Sequence, residues 1–154
     1  MHGNVVFVIT REVIMKTVRG IIAGVVFGII NQLFGGLFYG LLFNKWVMMS
    51  ASLWRPMESP LMQWGMLLVN VLSGLLIALV FAVIYRGIPG TGLKKGIVYG
   101  FLLWLITRLA GELFMYVLMP YSFMLVVAGW LQGICGMLLG GALIAIIYGK
   151  SLES

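Results

Sequence analysis

The sequence has almost none of the side chains that build metal, haem or acid-base catalytic sites. Its 154 residues include no aspartate, one histidine (His2) and one cysteine (Cys135). Paired aspartates, histidine-pair haem ligation and cysteine metal clusters are therefore excluded by composition. We expect no cofactor and no metal, predict that the chain is not an enzyme, and interpret Cys135 as a small core residue.

Charge is equally scarce. Charged residues make up 9% of the chain and hydrophobic residues 62%, with a mean hydropathy of +1.13. Soluble domains carry about 25% charged and 45–50% apolar residues, so this composition predicts a membrane protein.

Four apolar stretches have the length of roughly 20 residues that a helix needs to cross hydrocarbon. They are residues 20–43, 61–85, 96–119 and 123–148. We predict an all-α integral membrane protein with one four-helix transmembrane domain over residues 16–154. Residues 1–15 end at a second methionine, Met15, that has the context of an ordinary start, so we interpret them as an extension that the fold does not require.

Basic residues predict the orientation, because short loops retain lysine and arginine on the cytoplasmic side. Seven flank one side of the predicted helices and two the other: Arg11, Lys16, Arg19, Arg86, Lys94, Lys95 and Lys150 against Lys45 and Arg55. Both termini and the 86–95 loop are therefore predicted in the cytoplasm, in a plasma or inner membrane. Topology and attraction to anionic headgroups account for the net charge of +6, so we expect no nucleic-acid partner.

The connection over residues 44–60 is expected on the outer side. Trp46, Met49, Leu53 and Trp54 are spaced along one helical face, which favours a short helix at the membrane surface over an irregular loop.

An internal repeat relates the two halves. Residues 20–38 match residues 96–114 at eight of nineteen positions, an offset of 96 − 20 = 76. Residues 74–85 match residues 137–148 at five of twelve, an offset of 137 − 74 = 63. Two tandem helical hairpins in parallel orientation explain both matches.

Small residues recur every four positions, which lets helix backbones approach closely in lipid. The predicted packing glycines are Gly20, Gly24, Gly28, Gly36, Gly40, Gly74, Gly96, Gly100, Gly133 and Gly141. These GxxxG-like stripes also suggest a homo-oligomer or a second membrane protein as partner.

Polar residues from all four helices lie at similar depth, about 18 to 24 Å from the predicted cytoplasmic boundary at 1.5 Å per residue. They are Arg108, Glu112, Gln32, Asn31, Asn70 and Gln132. Charges are costly there, so we expect Arg108 and Glu112 to pair, with the amides meeting the remaining guanidinium donors and Gly36 supplying room.

Two functions from different classes suit this polar belt. It lines a path for a small solute or ion, or it is a clasp within a non-transporting subunit that docks through its glycine-rich faces. A minor third alternative is Cu(I) handling by outer-side thioethers. The methionines concerned are Met48, Met49, Met57, Met62, Met66, Met115, Met119 and Met124.

Overall fold

A computed structural model describes residues 2–56, 58–120 and 122–153, with side chains from Val13 to Leu152 in those ranges. Met57 and the side chains of His2 and Arg11 lie outside this description, as do most side chains of the predicted extension. The described residues are helical with no strand, and four helices are long and apolar enough to cross a membrane. We call these helices spans 1 to 4; they are Val13–Leu42, Pro60–Gly87, Gly92–Leu118 and Phe123–Leu152.

The spans are not uniform α-helix. Span 1 is the later part of α1, His2–Gly35, continued by a π-helix over Gly36–Leu42. Span 2 is α3, Pro60–Ile84, with the 3-10 turn Tyr85–Gly87. Span 3 joins α4, Gly92–Leu103, through the π-helix Trp104–Leu109 to α5, Ala110–Leu118. Span 4 is α6, Phe123–Ile144, followed by the π-helix Ala145–Gly149 and α7, Lys150–Glu153.

Local sequence fixes where spans 2 and 4 begin. The Ser59 hydroxyl accepts a hydrogen bond from the Met62 amide, and Pro60 follows it at the first helical position. Ser122 caps span 4 by accepting from the Met124 amide. Both serines satisfy an amide that a helix start would leave unpaired. The tight turn between spans 2 and 3 depends on Gly90, whose φ of 102° is unfavourable for other residues.

The spans pack in the spatial order 2, 1, 4, 3. Span 1 lies along span 2, span 3 lies along span 4, and spans 1 and 4 join the two hairpins. Spans 2 and 3 meet near the 85–95 turn, where the Tyr99 hydroxyl donates to the Ile77 carbonyl and the Tyr99 ring packs at a tilt against the Phe81 ring.

Two apolar clusters lie at opposite ends of this bundle. One includes Ala23, Phe27, Phe81, Tyr99 and Ile144. The other is built on Val47, Leu125 and Val126. Along spans 1 and 4 the polar residues of the predicted belt lie between these clusters, since Asn31 follows Phe27 of the first and Gln132 follows Val126 of the second.

The connection between spans 1 and 2 contains α2, Asn44–Met49, and a 3-10 turn, Ala51–Leu53. The predicted short helix is therefore present. Its packed face is partly different, because Trp46, Leu53 and Trp54 contact the second cluster whereas Met49 is 72% exposed. The sequence predicted one continuous helical face. The 3-10 turn that follows α2 has fewer residues per turn, so the spacing of the packed residues changes after Met49.

Basic side chains gather at the end of the bundle that holds the 85–95 turn. Arg19 donates to the Ser151 hydroxyl at 2.9 Å, and Lys95 donates to the Tyr85 carbonyl at 2.7 Å. Lys45 and Arg55 lie in the connection at the other end. The charge asymmetry that the sequence predicts is thus present between the two ends of the described bundle.

Candidate functional site

Eight of the ten predicted packing glycines lie against a neighbouring helix. A Cβ on Gly24 would lie 2.7 Å from the Leu75 Cα, and one on Gly28 would overlap the backbone of Asn70 and Val71. The others that leave no room for a side chain, or little, are Gly20, Gly74, Gly96, Gly100, Gly133 and Gly141. Six of these glycines therefore allow a close backbone approach, whereas Gly20 lies against the side chain of Tyr148 and Gly133 lies against those of Arg108 and Trp104.

Gly36 and Gly40 do not pack against another helix within the single chain. Both are exposed, and a Cβ on either would meet no described atom within 4 Å. Residues four apart drift by about 40° around a helix of 3.6 residues per turn. The stripe that faces span 2 at Gly24 has therefore rotated away from it by Gly36, which supplies no room for the charged pair.

Arg108 and Glu112 form an ion pair on span 3. The Arg108 Nη1 lies 3.4 Å from the Glu112 Oε1, and the two side chains are 33% and 15% exposed. Both pack on glycines of span 4, with the Glu112 carboxyl group at Gly129 and the Arg108 Cγ at Gly133. A Cβ at either position would occupy volume that these side chains now fill, so Glu112 or Arg108 would have to shift.

Two tryptophans hold spans 3 and 4 together around this pair. Trp104 donates its indole N–H to the Trp130 carbonyl at 3.0 Å, and Trp130 donates to the Leu109 carbonyl at 3.3 Å. Arg108 lies in the π-helical segment Trp104–Leu109. Such turns are rare in proteins, but those that occur are often found at functional sites. The sequence did not indicate these two hydrogen bonds, which cross the interface in opposite directions.

The neutral polar residues form two other contacts. The Asn70 Nδ2 donates to the Gln32 Oε1 at 2.7 Å between spans 1 and 2. The Gln132 Nε2 donates to the Asn31 carbonyl at 3.4 Å between spans 1 and 4. All six predicted belt residues thus share one level of the bundle.

The expected shared network around the guanidinium is not what the structure contains. No described hydrogen bond joins Arg108 to any of the four amide side chains. Asn31 and Gln32 are successive residues, so they point about 100° apart and face different neighbours. The belt is therefore divided among three helix interfaces.

The α6 part of span 4 has three buried glycines besides the predicted packing glycines Gly133 and Gly141. Gly129, Gly136 and Gly140 are buried, and a Cβ on Gly140 would overlap the Phe27 ring. Cys135, interpreted as a core residue, is exposed. It belongs to an outward stripe with Leu131 and Leu139, four residues to either side.

The methionines of the proposed Cu(I) site differ in their surroundings. Met115 and Met119 pack against the second apolar cluster, whereas Met48, Met49, Met66 and Met124 are exposed. In the described part of the chain no three His, Cys, Asp or Glu residues lie close enough to hold a metal ion.

When the chain was compared with protein-family models, with curated proteins and with solved structures, nothing matched.

Proposed function

We propose that the protein is a multi-pass membrane protein of four spans with both termini and the 85–95 turn in the cytoplasm. Four helices of sufficient length and apolarity support this proposal, and so does the gathering of basic residues at one end. The predicted location is a plasma or inner membrane whose anionic headgroups face that basic end.

Cysteine labelling tests the orientation. Ser52 and Thr91 are both exposed and lie at opposite ends of the bundle. In a Cys135→Ala background, an impermeant maleimide added outside intact cells should label Ser52→Cys and spare Thr91→Cys until the membrane is opened. Labelling of Thr91→Cys alone would reverse the orientation.

The repeat belongs to the same proposal, and contacts support it. Gly24 packs against Gly74 and Leu75, and Gly100 packs against Met137 and Leu138. The sequence offsets of 76 and 63 carry the first contact onto the second, since 24 + 76 = 100 and 74 + 63 = 137. Duplication of one hairpin accounts for this correspondence.

The function we propose is permeation or transport of a small solute or ion by an oligomer of this chain. The observation that carries it is the mid-span position of Arg108, whose side chain is one-third exposed in the single chain. A cationic side chain at that depth is strongly disfavoured against hydrocarbon. Water in a path or a second protein surface is therefore the environment that the exposed part requires.

One chain gives little room for a path. Each of its four spans touches a neighbouring helix at glycines, for example at Gly24, Gly74, Gly100 and Gly141, and the polar level is divided among interfaces. A path lined by Arg108 and Glu112 therefore runs between two copies of the chain. The face of span 3 that is exposed in the single chain is turned toward the second copy.

Flux through liposomes containing the purified protein tests this function. The panel contains protons, Na⁺, K⁺, Cl⁻, ammonium, urea and glycerol. We expect flux of at least one of them with the wild type, loss of it with Arg108→Leu plus Glu112→Leu, and no loss with Ile106→Val at an exposed position of the same span.

The alternative is a non-transporting subunit that docks on another membrane protein. The exposed Gly36 and Gly40 favour it, because they leave a flat stretch of span 1 open to a second helix. An absence of flux for the whole panel, together with one stoichiometric co-purifying protein, would replace the transport proposal by this one.

A further inference from the structure

A groove opens between spans 3 and 4 at the basic end of the bundle. Its volume is about 580 Å³, which lies within the range of roughly 300–1,000 Å³ for ligand pockets. Residues at the start of span 3 line one wall, and residues at the end of span 4 line the other. They include Thr91, Gly92 and Leu93 on the first wall and Ile146, Gly149 and Lys150 on the second.

The glycine spacing explains why the groove forms at this level. Gly96 packs against Gly141 and Ala145, so the two spans touch closely there. One turn further toward the basic end, each span has a glycine again, Gly92 on span 3 and Gly149 on span 4. Neither residue has a side chain that could close the groove between the helices.

Lys150 provides this groove with a cation that no described side chain neutralises. Arg19 and Lys95 at the same end donate hydrogen bonds to described acceptors. Lys150 is exposed and forms no hydrogen bond or ion pair with a described residue. In the sequence of this end, seven basic residues stand against two acidic ones, Glu12 and Glu153. The groove therefore favours an anionic ligand.

Apolar side chains extend from the groove toward the middle of the membrane. Ile146 precedes Lys150 by about one helical turn and is 53% exposed, and Leu93 on the facing wall is 50% exposed. Leu139 and Ile97 are exposed further along the same two spans. A ligand that matches both parts has an anionic head and an apolar tail.

We propose that this groove binds one anionic phospholipid, with its headgroup phosphate at Lys150 and an acyl chain along Ile146 and Leu93. Basic pockets between membrane helices bind anionic headgroups. The Thr91 hydroxyl is exposed and does not cap the following helix, so it is available to donate to a phosphate oxygen. The wall on span 4 includes the π-helical segment Ala145–Gly149, and such segments are often found at functional sites. This site rests on the proposed membrane insertion and is independent of transport.

The experiment titrates the full-length protein in neutral detergent with dioctanoyl phosphatidylglycerol and counts bound lipids by native mass spectrometry. We expect one site that prefers this lipid to dioctanoyl phosphatidylcholine, whose headgroup has no net charge. Lys150→Gln should weaken the binding about fivefold, the contribution of one basic residue near an anionic headgroup. Lys94→Gln is the matched control, because Lys94 is exposed at the same end without lining the groove, and its affinity for the lipid should not change.

A second pair of variants tests the apolar wall. Ile146→Ser should weaken the binding of phosphatidylglycerol, because the acyl chain then lies against a hydroxyl group. Val83→Ser is its control, since Val83 is exposed near the same end of span 2 and lies outside the groove. Inorganic phosphate at the concentration of the lipid should not displace it, because phosphate has no tail to contact this wall.

Four results would overturn the proposal. One is an absence of bound phosphatidylglycerol in the wild type, and another is equal affinity for phosphatidylcholine. Equal losses for Lys150→Gln and Lys94→Gln would show a general attraction to the basic end instead of a site. Displacement of the lipid by inorganic phosphate would assign the groove to a soluble anion.

Discussion

The hairpin of spans 1 and 2 and the hairpin of spans 3 and 4 use the same contact positions with different residues. In the first, Gly28 packs against the backbone of Asn70 and Val71. The offsets of 76 and 63 carry Gly28 to Trp104 and Asn70 to Gly133, and Trp104 does pack against Gly133. The glycine at this contact is thus on the first helix of one hairpin, Gly28 of span 1, and on the second helix of the other, Gly133 of span 4.

This exchange shows how a charged pair can fit an interface built for close packing. In the first hairpin the glycines of span 1 admit the backbone of span 2. In the second, Gly129 and Gly133 on span 4 admit the side chains of Glu112 and Arg108 from span 3. Because interiors tolerate changes that conserve volume, one helix can gain bulk and charge where the other loses it.

The largest effect is expected where both hairpins depend on glycine. Gly24→Leu and its equivalent Gly100→Leu would each drive a side chain into the opposing backbone. Each should destabilise the fold by about 3 kcal/mol, the upper limit of the usual overpacking range. Unfolding in mixed detergent measures the loss, with Gly36→Leu, which faces open space, as the control.

Similar losses for Gly24→Leu and Gly100→Leu would support equivalent hairpins. A large loss of stability for one variant and none for the other would contradict the equivalence of the two hairpins at the contact where their residues correspond best. A loss for Gly36→Leu accompanied by a smaller oligomer would mean that its exposed face binds a second copy.

A medium effect is expected where the hairpins differ. Glu112→Gln leaves Arg108 without its anionic partner and should cost about 1–3 kcal/mol. Arg108→Leu plus Glu112→Leu should recover most of that stability, because apolar replacements remove both desolvation costs. Gln32→Leu, at the position equivalent to Arg108 in the first hairpin, should lose only one neutral hydrogen bond.

The melting temperature in detergent is measured for Glu112→Gln, for Gln32→Leu and for the double variant Arg108→Leu plus Glu112→Leu. Liposome flux of the double variant then separates a structural from a functional role of the pair. If the double variant is stable and retains function, the pair is a structural clasp. If it is stable and inactive, the pair belongs to the site. A Glu112→Gln variant as stable as the wild type would contradict both, and would indicate that Arg108 reaches water or headgroups.

Composition and periodicity were sufficient for the coarse fold. Mean hydropathy and segment length predicted four apolar helices, and all four are present with shifted ends. Span 1, for example, was expected to start at residue 20, whereas its helix already includes Val13 and belongs to α1, His2–Gly35. Continuous helix across Lys16 and Arg19 explains the difference, because charges end an apolar stretch without ending the helix.

The neighbours of each polar residue could not be predicted in the same way. Depth along a helix follows from residue counting, so the common level of the belt was accessible. Direction around the helix was not, because the π-helical segments at Gly36–Leu42 and Trp104–Leu109 change the rotation per residue. The spatial order of the spans, which separates Gln32 from Arg108, also leaves no local signal in the sequence.

The smallest effect concerns the hydrogen bond that only the first hairpin has. The Asn70 Nδ2 donates to the Gln32 Oε1 at 2.7 Å, whereas the equivalent of Asn70 in the second hairpin is Gly133, which has no side chain. Asn70→Leu should cost about 0.6 kcal/mol, the average for hydrogen bonds between membrane helices. Gly28 packs on the Asn70 backbone, so this contact survives the substitution. A cycle with Gln32→Leu and the double variant, followed by unfolding in mixed detergent, isolates the pair. Coupling above about 1.7 kcal/mol, the largest value for such bonds, would show that the first hairpin relies on polar pairing rather than on glycine packing. The two hairpins would then be held together by different forces despite their matching contacts.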